Sequence, residues 1–599
     1  MEKYSLRENT FFAENSGGAN GAHVANGASA GSGADDLSGM NTYPELLREL
    51  LISRGIKNAQ DAEQFLNPDY DRDNHHPFRM KDMERAVERV LKAITGREKI
   101  IIYSDYDADG IPGAVVLHDF FKKVGFDNFV NYIPHRTHEG FGVHLEAIEQ
   151  FAKDGATLVI TIDCGISDVA PITRAKELGL DVIITDHHEA GEELPPAYAI
   201  LNPKQVDCPY PEKILCGSGV IFKFIQGLIH TMRQRDMIKD VRNGWEKWLL
   251  DMVGLATLSD MVPLVGENRV FAYYGLKVLR ISPRVGLLKL LRTVKTNQRH
   301  ITEDDIGFMI SPRINAASRM GVPLDAFKLL STKDEVEAGA LSEHLNKIND
   351  ERKGIVASMV KEIKKILTAR VENGTMKKVV VIGNPDWKPS LLGLAANTLK
   401  DDYGATVFLW GREGGSIIKG SCRSDGTVSV VELMEATRGS FLNFGGHKMS
   451  GGFSVSHEKI HTLEDEIVSA YEKLRAPEGA RDPEKILIDK RLTLADVNWN
   501  TYKIIEKLAP FGVGNPKPLF LFDGIEIKEA KLFGKEKNHL ELRFAGVGGK
   551  DIVAICFFAS AERRANLSAG MKINLVANFE KSMFRNFPEL RLRIVDIIV

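Results

Sequence analysis

Three acidic motifs in this chain each follow a run of apolar and β-branched residues. They are Ser104-Asp105-Tyr106-Asp107-Ala108-Asp109-Gly110, Ile162-Asp163-Cys164-Gly165 and Thr185-Asp186-His187-His188. Each run is typical of a strand and leads into a glycine-containing turn or a helical pattern, so the motifs are predicted to lie at the carboxyl ends of parallel strands. Carboxylates with one or two imidazoles suit Mn²⁺ or Mg²⁺ better than a structural zinc. The spacing therefore predicts a divalent-metal site.

The first motif alone would not establish that site. Asp105, Asp107 and Asp109 repel one another and need a counter-charge, but a solvated acidic turn is an equally good interpretation of such a motif in isolation. Asp163, the triplet from Asp186 to His188, and Asp260 in Leu258-Ser259-Asp260-Met261-Val262-Pro263 also follow apolar runs. Taken together, these acidic residues at the ends of apolar runs favour a metal site over a solvated turn.

The elements that must carry these residues are predicted to form α/β domains. Strand and helix patterns alternate to about residue 330, which indicates a doubly wound parallel sheet. The charged, periodic stretch from Thr332 to Thr368 predicts one long helix that joins two domains, with a bundle helix as the alternative. A second α/β unit starts near Lys377 and ends in glycine-rich turns near Gly445 and Gly451. After residue 483, short alternating runs predict a small antiparallel barrel.

Five segments follow from these patterns. Residues 16–39 are almost all Gly, Ala, Ser and Asn, a composition that buries too little apolar surface to fold. We therefore expect a disordered tail (1–42), a first α/β domain that carries the acidic motifs (43–331), a connecting helix (332–372), a second α/β domain (373–478) and a barrel that resembles an oligonucleotide-binding (OB) fold (479–599).

Composition narrows the class of protein. The chain of 599 residues is 43% hydrophobic and 27% charged, which is ordinary for a globular protein. Its five cysteines form no CxxC pair, so neither a disulfide framework nor a zinc ribbon is expected. No apolar run approaches a membrane span and no signal segment is evident, so a cytoplasmic protein is expected. A net charge of -3 does not decide for or against nucleic-acid binding.

Residues suited to an anionic substrate occur in the last two domains. Glycine lets backbone N–H groups approach phosphate and arginine binds phosphate through two hydrogen bonds; tight turns are the alternative for the glycines. The candidates in the second α/β unit are Ser421, Arg423, Gly445, Gly446 and His447. The barrel mixes cations with phenylalanines, as in single-strand-binding grooves, although core packing is the alternative for each ring. These residues are Lys531, Lys535, Lys537, Arg543, Lys581, Arg585, Arg591 and Arg593 with Phe533, Phe544, Phe584 and Phe587.

These motifs resemble the DHH phosphoesterase superfamily, named for a triplet like Asp186 to His188, and within it the RecJ family of single-stranded-DNA exonucleases. The resemblance covers nearly all of the chain after residue 43. Further motifs that carry it are Tyr132 to Arg136, Glu139 to Gly142, Leu215 to Gly219, Val262 to Arg269, Pro312 to Ala317, Gly420 to Ser424, Phe444 to His447 and Pro510 to Pro516.

The resemblance implies roles for individual residues. It implies that Asp107, Asp109, Asp163, His187 and Asp260 bind two divalent cations, Mn²⁺ or Mg²⁺. Asp105 and His188 would then support the attacking water or the phosphate, and Arg136 and Arg313 would hold phosphates near the metals. A carboxylate that bridges both ions would set their spacing, and Asp163 and Asp109 are both candidates.

The resemblance also implies a function. It implies a monomer that hydrolyses single-stranded DNA from the 5′ end in repair and recombination, without a membrane and alongside single-strand-binding protein and helicase. One alternative is a DHH phosphodiesterase that acts on short oligoribonucleotides or small nucleotides, but those relatives generally lack the barrel. A second alternative is a non-catalytic Cdc45-like DNA-binding protein, but the intact acidic motifs oppose it.

Two segments depart from the usual RecJ pattern. Trp387-Lys388-Pro389-Ser390 stands where Trp-His-x-Gly is usual, and Asn315-Ala316-Ala317-Ser318-Arg319 stands where Asn-Ala-x-Gly-Arg is usual. Lys388 is expected to keep a positive charge near the substrate, and Pro389 is expected to reshape the loop.

Overall fold

A computed structural model describes residues 4–6, 37–413, 417–475, 486–534, 537–559, 567–583 and 587–599. The chain separates into two compact units. The first contains the described residues of 1–74, 263–273 and 481–599, and the second contains those of 75–262 and 274–480. Among the described helices, none combines the length and apolarity needed to cross a membrane.

The strands and helices are numbered in chain order. The strands are β1 (Tyr4–Leu6), β2 (Lys99–Ser104), β3 (Phe129–Tyr132), β4 (Ala156–Ile162), β5 (Asp181–Thr185), β6 (Ala199–Leu201), β7 (Val379–Gly383), β8 (Thr406–Gly411), β9 (Ile418–Arg423), β10 (Asn443–His447), β11 (Ser450–Val455), β12 (Ile486–Ile488), β13 (Lys490–Arg491), β14 (Phe520–Phe533), β15 (His539–Phe544), β16 (Ile552–Cys556), β17 (Lys572–Ser582) and β18 (Glu589–Ile598). The helices are α1 (Glu45–Ile52), α2 (Ala59–Leu66), α3 (Met83–Thr95), α4 (Gly110–Lys123), α5 (Leu145–Lys153), α6 (Val169–Glu177), α7 (Gly217–Gln234), α8 (Leu250–Ser259), α9 (Gly266–Leu279), α10 (Val285–Thr293), α11 (Glu303–Asp305), α12 (Ser311–Met320), α13 (Pro323–Ser331), α14 (Glu335–Glu372), α15 (Pro389–Tyr403), α16 (Val430–Ala436), α17 (Leu463–Leu474) and α18 (Trp499–Glu506).

The second unit contains a five-stranded parallel sheet in the order β3-β2-β4-β5-β6. Its central strands are almost entirely buried, because parallel strands are covered on both faces and are therefore apolar throughout. The register aligns Ser104 with Ile162 and Ile162 with Thr185. The predicted parallel sheet is confirmed, and the three acidic motifs leave it at the same edge.

The same unit contains a second five-stranded sheet in the order β10-β11-β9-β8-β7. The pair β7–β8 is parallel and the other pairs are antiparallel. The turn predicted near Gly445 and Gly451 is the hairpin turn at Lys448 and Met449, but the glycines themselves lie in the paired strands β10 and β11. Glycine has no side chain that signals a strand, so the pattern indicated a turn instead.

Helix α14 is one continuous helix of 38 residues, as predicted from its periodicity. The Asp334 side chain caps its first turn by accepting hydrogen bonds from the N–H groups of Val336 and Glu337. In its second half, Met359, Ile363 and Leu367 pack into the apolar core beside β7 and β8.

The first unit is built around a closed five-stranded barrel. Its strands follow the order β14-β15-β16-β18-β17, and the pairing of β14 with β17 closes the sheet. The predicted barrel is confirmed, with the β16–β18 pair parallel and the other barrel pairs antiparallel. Helices α1 and α2 share its core: Leu47, Leu50 and Leu51 lie in one buried cluster with Phe520 and Phe544.

Parts of the predicted disordered tail are structured. Tyr4–Leu6 pairs in parallel with Ile486–Ile488, and the Tyr4 hydroxyl donates to Asp596 Oδ2 over 2.7 Å. Residues 37–42 form a short helical turn, in which Met40 is fully buried. The prediction is wrong for these two segments, because apolar side chains such as Met40 find a place in the barrel unit that composition does not reveal. Residues 7–36 lie outside the described residues.

Candidate metal centre

The first acidic loop is held in a tight turn between β2 and α4. Asp107 Oδ1 accepts hydrogen bonds from the N–H groups of Asp109 (2.7 Å) and Gly110 (3.2 Å). A Cβ atom on Gly110 would lie 2.5 Å from the Asp105 carbonyl oxygen, so the turn requires glycine there. The Ala108 N–H donates to Asn315 Oδ1 over 3.0 Å, which ties the loop to α12.

The amino terminus of α7 fixes the Asp109 carboxylate. Oδ2 accepts from the Gly217 N–H at 2.6 Å and Oδ1 accepts from the Ser218 N–H at 2.7 Å. The Ser218 hydroxyl also donates to the Asp109 carbonyl oxygen at 2.6 Å. The first N–H groups of a helix have no partner within it and favour negative charge, so this contact orients Asp109 and partly offsets its charge.

Asp163, His187 and Asp260 converge beside Asp109. His187 Nε2 lies 3.0 Å from Asp163 Oδ1 and 3.7 Å from Asp109 Oδ2. His187 Nδ1 lies 3.8 Å from Asp260 Oδ2. Asp163 has a φ of +62°, which is uncommon for a residue other than glycine. Asp260 follows the last residue of α8 and is therefore placed by a helix end rather than by a strand.

Asp186 orients His188. Its Oδ1 lies 2.8 Å from His188 Nδ1 and accepts from the N–H groups of His187 and His188, while its Oδ2 accepts from the Ile166 N–H. Burial alone would lower the pKa of His188, but the hydrogen bond and negative charge of Asp186 outweigh burial and raise that pKa to about 9. Asp186 therefore orients the second imidazole, a role that the sequence motif did not assign to it.

The carboxylates carry more negative charge than the protein neutralises. Burial, together with neighbouring carboxylates, raises the pKa values of Asp105, Asp109 and Asp163. Burial and the charges of Asp109 and Asp107 raise the pKa of Asp260 to about 8. Burial lowers the pKa of His187, which favours the neutral imidazole that binds metals. Divalent cations would supply the missing positive charge.

The donor groups fit Mn²⁺ or Mg²⁺. Among the residues that the structure describes, three sets have ligand atoms within 4.8 Å of one another: Asp105 with Asp107 and Asp163, Asp109 with His187 and Asp260, and Asp163 with His187 and His188. Within the described residues, the buried atoms Asp105 Oδ1 and Asp163 Oδ1 accept no hydrogen bond, although His187 Nε2 lies 3.0 Å from the latter. Oxygen-rich sites with imidazole suit these two ions, and the acidic and imidazole groups are positioned to hold them.

The predicted phosphate-binding residues of the second sheet lie in two rows across neighbouring strands. Gly452 of β11 pairs with Ser421 on one side and with Gly445 on the other. Ser450 likewise stands between Arg423 and His447. Gly446 has a φ of +147° and lies within the same β10–β11 pairing. The structure therefore places all five predicted residues on β9 and β10, the two strands that flank β11.

Arg136 and Arg319 lie near the acidic loop, and Arg313 lies on α12. Arg136 stands over the Tyr106 ring, 4.9 Å from its centroid. Arg313 donates to Asn346 Oδ1 and to the carbonyl oxygens of Phe308 and Met309, so most of its donors bind the protein. Arg319 was not predicted as a site residue. Burial and the charges of Arg136 and Arg352 lower its pKa to about 9. Its only sequence signal was its place after the unusual Ser318.

The departure at residues 387–390 has a structural explanation. Lys388 Nζ lies 2.8 Å from Glu413 Oε1, so its charge is matched by a carboxylate. The Ser390 hydroxyl donates to the Arg319 carbonyl oxygen at 2.9 Å, and Arg319 Nη1 donates back to the Ser390 carbonyl oxygen at 2.8 Å. Pro389 opens α15, where its missing N–H group is tolerated.

Several of the barrel cations form ion pairs and two of them lie over an aromatic ring. Arg543 pairs with Glu541 and Arg591 pairs with Glu580. Arg593 and Arg591 stand 4.2 and 5.7 Å from the Phe557 ring centroid. Phe544 is fully buried, which favours the core interpretation for that ring. Lys535, Phe584 and Arg585 lie outside the described residues.

Sequence profiles of three families match the chain in order. The DHH family, N-terminal domain, matches residues 99–257, the DHHA1 domain matches residues 374–473, and the RecJ OB domain matches residues 488–596. These ranges contain the parallel sheet, the second sheet and the barrel respectively.

Individual proteins and structures are similar over most of the chain. The single-stranded-DNA-specific exonuclease RecJ of Bacillus subtilis (strain 168) is 33% identical over 557 residues, which is 92% of this chain and 68% of that protein. The protein of the same name from Haemophilus influenzae is 30% identical and is matched over 92% of this chain and 96% of its own length.

Two solved structures support the same relationship. RecJ from Thermus thermophilus in complex with Mn²⁺ shares the fold, with a TM-score of 0.77, 24% identity, and coverage of 94% of this chain and 77% of that one. A structure of exonuclease RecJ bound to manganese is 28% identical with a TM-score of 0.58, covering 68% of this chain and 98% of that one. The chain belongs to the RecJ family of single-stranded-DNA-specific exonucleases.

Proposed function

We propose that this chain is a metal-dependent exonuclease that hydrolyses single-stranded DNA from the 5′ end. The observation that carries the proposal is the convergence of four aspartates and His187 at one edge of the parallel sheet, in a chain of this family. When bound, two Mn²⁺ or Mg²⁺ ions activate water, orient the phosphate and stabilise the leaving oxygen. The 5′ polarity and the role in repair and recombination are carried over from the family.

Asp107, Asp109, Asp163, His187 and Asp260 are the proposed metal ligands. Asp163 is the better candidate for the bridging carboxylate. It belongs to two of the three ligand sets, and its Oδ1 accepts no hydrogen bond from the described residues. Both oxygens of Asp109 already accept hydrogen bonds from α7, which leaves them fewer lone pairs.

Asp105 and His188 are proposed to act on the reacting groups. Asp186 occupies His188 Nδ1, which leaves Nε2 as the nitrogen that can donate a hydrogen bond to a phosphate oxygen. The raised pKa keeps this imidazole charged near neutral pH. Asp105 Oδ1 is buried and accepts no hydrogen bond from the described residues, so it can accept a proton from the attacking water.

The remaining predicted residues would bind the substrate chain. Arg136, Arg313, Ser421, Arg423, Gly445, Gly446 and His447 are proposed to hold its phosphates. The barrel is proposed to hold the single strand through cations and rings such as Arg593 and Phe557. The predicted segments from residue 43 onward and a cytoplasmic location belong to the same proposal and rest on the sequence patterns. A monomeric state and work alongside single-strand-binding protein and helicase rest on the family resemblance.

The test compares substrates and variants. With Mn²⁺, the wild-type protein should degrade single-stranded DNA, and Asp107→Ala should lose that activity. Asp127→Ala, which removes an exposed carboxylate paired with Lys122, should keep it and serves as the matched control. Preferential hydrolysis of very short RNA would favour the phosphodiesterase alternative, and binding without any hydrolysis would favour the Cdc45-like one.

A further inference from the structure

Arg136, Arg313, Arg319 and Arg352 form a cluster in which Arg136 and Arg319 lie close enough to the acidic loop to feel the charges of Asp105 and Asp107. Among the described residues, none of the four forms an ion pair with a carboxylate, and Asp350 is the acidic neighbour of Arg313 and Arg352 on the α14 side. Burial and neighbouring arginines lower the pKa values of Arg319 and Arg352, which indicates that these charges repel one another. Buried charges normally have partners, and at Arg352 the described residues supply only the nearby charge of Asp350, without an ion pair.

One face of the connecting helix α14 also lacks hydrogen-bond partners. Asn349 is 0% exposed, and neither its Oδ1 nor its Nδ2 finds a partner in the described part of the chain. Arg352 Nε is likewise buried without an acceptor among those residues. Asn346, Asn349 and Arg352 are spaced by three residues and so lie along one side of the helix. Asn346 accepts from Arg313, which places this side against α12.

The cluster extends away from the acidic loop. Arg136 stands over Tyr106, which lies between Asp105 and Asp107 in the chain. Arg319 is close enough to feel the charges of both Arg136 and Arg352, and Arg352 feels that of Arg313. Ser390 holds Arg319 through the two reciprocal hydrogen bonds. A series of positively charged side chains therefore extends from the acidic loop to the middle of α14.

We propose that Arg352 of α14 binds a backbone phosphate of the single strand, distinct from the phosphate being hydrolysed. Arg352 is only partly buried, and its guanidinium supplies both the positive charge and the hydrogen-bond donors for the phosphate oxygens. Helix α14 is then part of the substrate track as well as a connection between domains. The inference rests on the proposed function, since it requires a nucleic-acid strand in the site.

The test couples one residue to one phosphate. Binding of single-stranded DNA is measured in EDTA, which prevents hydrolysis, for oligonucleotides that each carry one uncharged methylphosphonate at a different position. In the wild type, one position should weaken binding roughly tenfold, and Arg352→Gln should abolish the effect of that position alone. Arg352→Gln should also reduce the slope of log affinity against log salt by about 1. Lys347→Gln is the matched control, because Lys347 lies on the same helix with 77% of its side chain exposed.

Clear outcomes decide the proposal. Equal losses at every methylphosphonate position in the wild type and in Arg352→Gln would overturn it, as would an equal effect of Lys347→Gln. Arg352→Lys keeps the positive charge and should retain most of the coupling between residue 352 and that phosphate. Thermal unfolding of each variant shows whether a loss of binding is caused by a loss of folding. If the wild type hydrolyses DNA with Mn²⁺ but shows no coupling, this inference alone fails. If the wild type neither binds nor hydrolyses single strands, the proposed function fails with it.

Discussion

At the residue scale, the structure assigns different tasks to neighbouring members of the Asp186-His187-His188 triplet. His187 faces Asp163, Asp109 and Asp260, whereas His188 is held through Nδ1 by Asp186. The residue types were predictable from the sequence, because a strand followed by acidic residues and histidines is a recognisable pattern. The division of labour was not predictable, since it depends on which ring nitrogen meets which carboxylate.

Asp186→Asn should slow hydrolysis without removing the metals. The amide keeps the shape of the side chain but loses the negative charge that fixes the imidazole, and such orienting partners are typically worth about 10–100-fold in activity. We expect kcat to fall by that factor while the Mn²⁺ content of the purified protein, measured by elemental analysis, stays unchanged. Loss of the bound Mn²⁺ in this variant would contradict the assignment of Asp186 to His188.

Mn²⁺ affinity should rise with pH. Burial and neighbouring carboxylates raise the pKa of Asp260 to about 8, so this group is protonated, and is a poor ligand, in the metal-free protein below that pH. Protons and metal therefore compete, and affinity should increase between about pH 6.5 and 8.5 with release of protons. Calorimetric titrations in buffers of different ionisation enthalpy measure both quantities. A pH-independent affinity would contradict the burial and crowding of these carboxylates.

At the element scale, the strand ends that carry the acidic motifs were predictable, but the contact between the amino terminus of α7 and Asp109 was not. Runs such as Thr157 to Ile162 are apolar throughout because both faces are buried, so β2, β4 and β5 could be located closely. The hydrogen bonds from the amino terminus of α7 to Asp109 join residues more than one hundred positions apart in the sequence. No local sequence pattern indicates such a contact. The strands β10 and β11 escaped prediction because glycine carries no strand signal.

Gly217→Ala should weaken the metal centre strongly. A Cβ atom there would lie 2.6 Å from the Asp163 Cβ atom and 2.7 Å from its Oδ1, so α7 or Asp163 must move. We expect Mn²⁺ affinity to fall at least tenfold, which corresponds to about 1.4 kcal/mol. Gly227→Ala, on the same helix but facing the flexible Met83 side chain, is the control and should leave the affinity near that of the wild type. Equal affinities for wild type and Gly217→Ala would refute the role of α7.

At the scale of the whole molecule, the barrel unit has a core that reaches far beyond the barrel strands. Helix α1 contributes Leu47, Leu50 and Leu51 to that core, and the chain between them and β14 is more than 450 residues long. The barrel itself was predictable from alternating short strands. The contribution of α1 and of Tyr4–Leu6 was not, because it depends on long-range packing.

Leu51→Ala should destabilise the barrel unit and spare the metal centre. Leu51 is fully buried, and removing a buried leucine side chain typically costs about 2–5 kcal/mol. We expect a lower unfolding midpoint in urea with unchanged Mn²⁺ affinity at low urea. Leu178→Ala, at a partly exposed leucine of the second unit, is the control and should change stability by much less. A large loss of Mn²⁺ affinity in Leu51→Ala would show that the metal centre depends on the barrel core.

The central claim is that the acidic edge of the parallel sheet hydrolyses single-stranded DNA from its 5′ end with bound divalent metal. The most direct measurement is a time course with one oligonucleotide labelled at either the 5′ or the 3′ end, in Mn²⁺ and in EDTA, for wild type and Asp163→Asn. The account predicts a labelled mononucleotide as the first product from the 5′ label, progressive shortening from the 3′ label, and no product in EDTA or from the variant. Mononucleotide released first from the 3′ label, or hydrolysis that persists in Asp163→Asn, would contradict it.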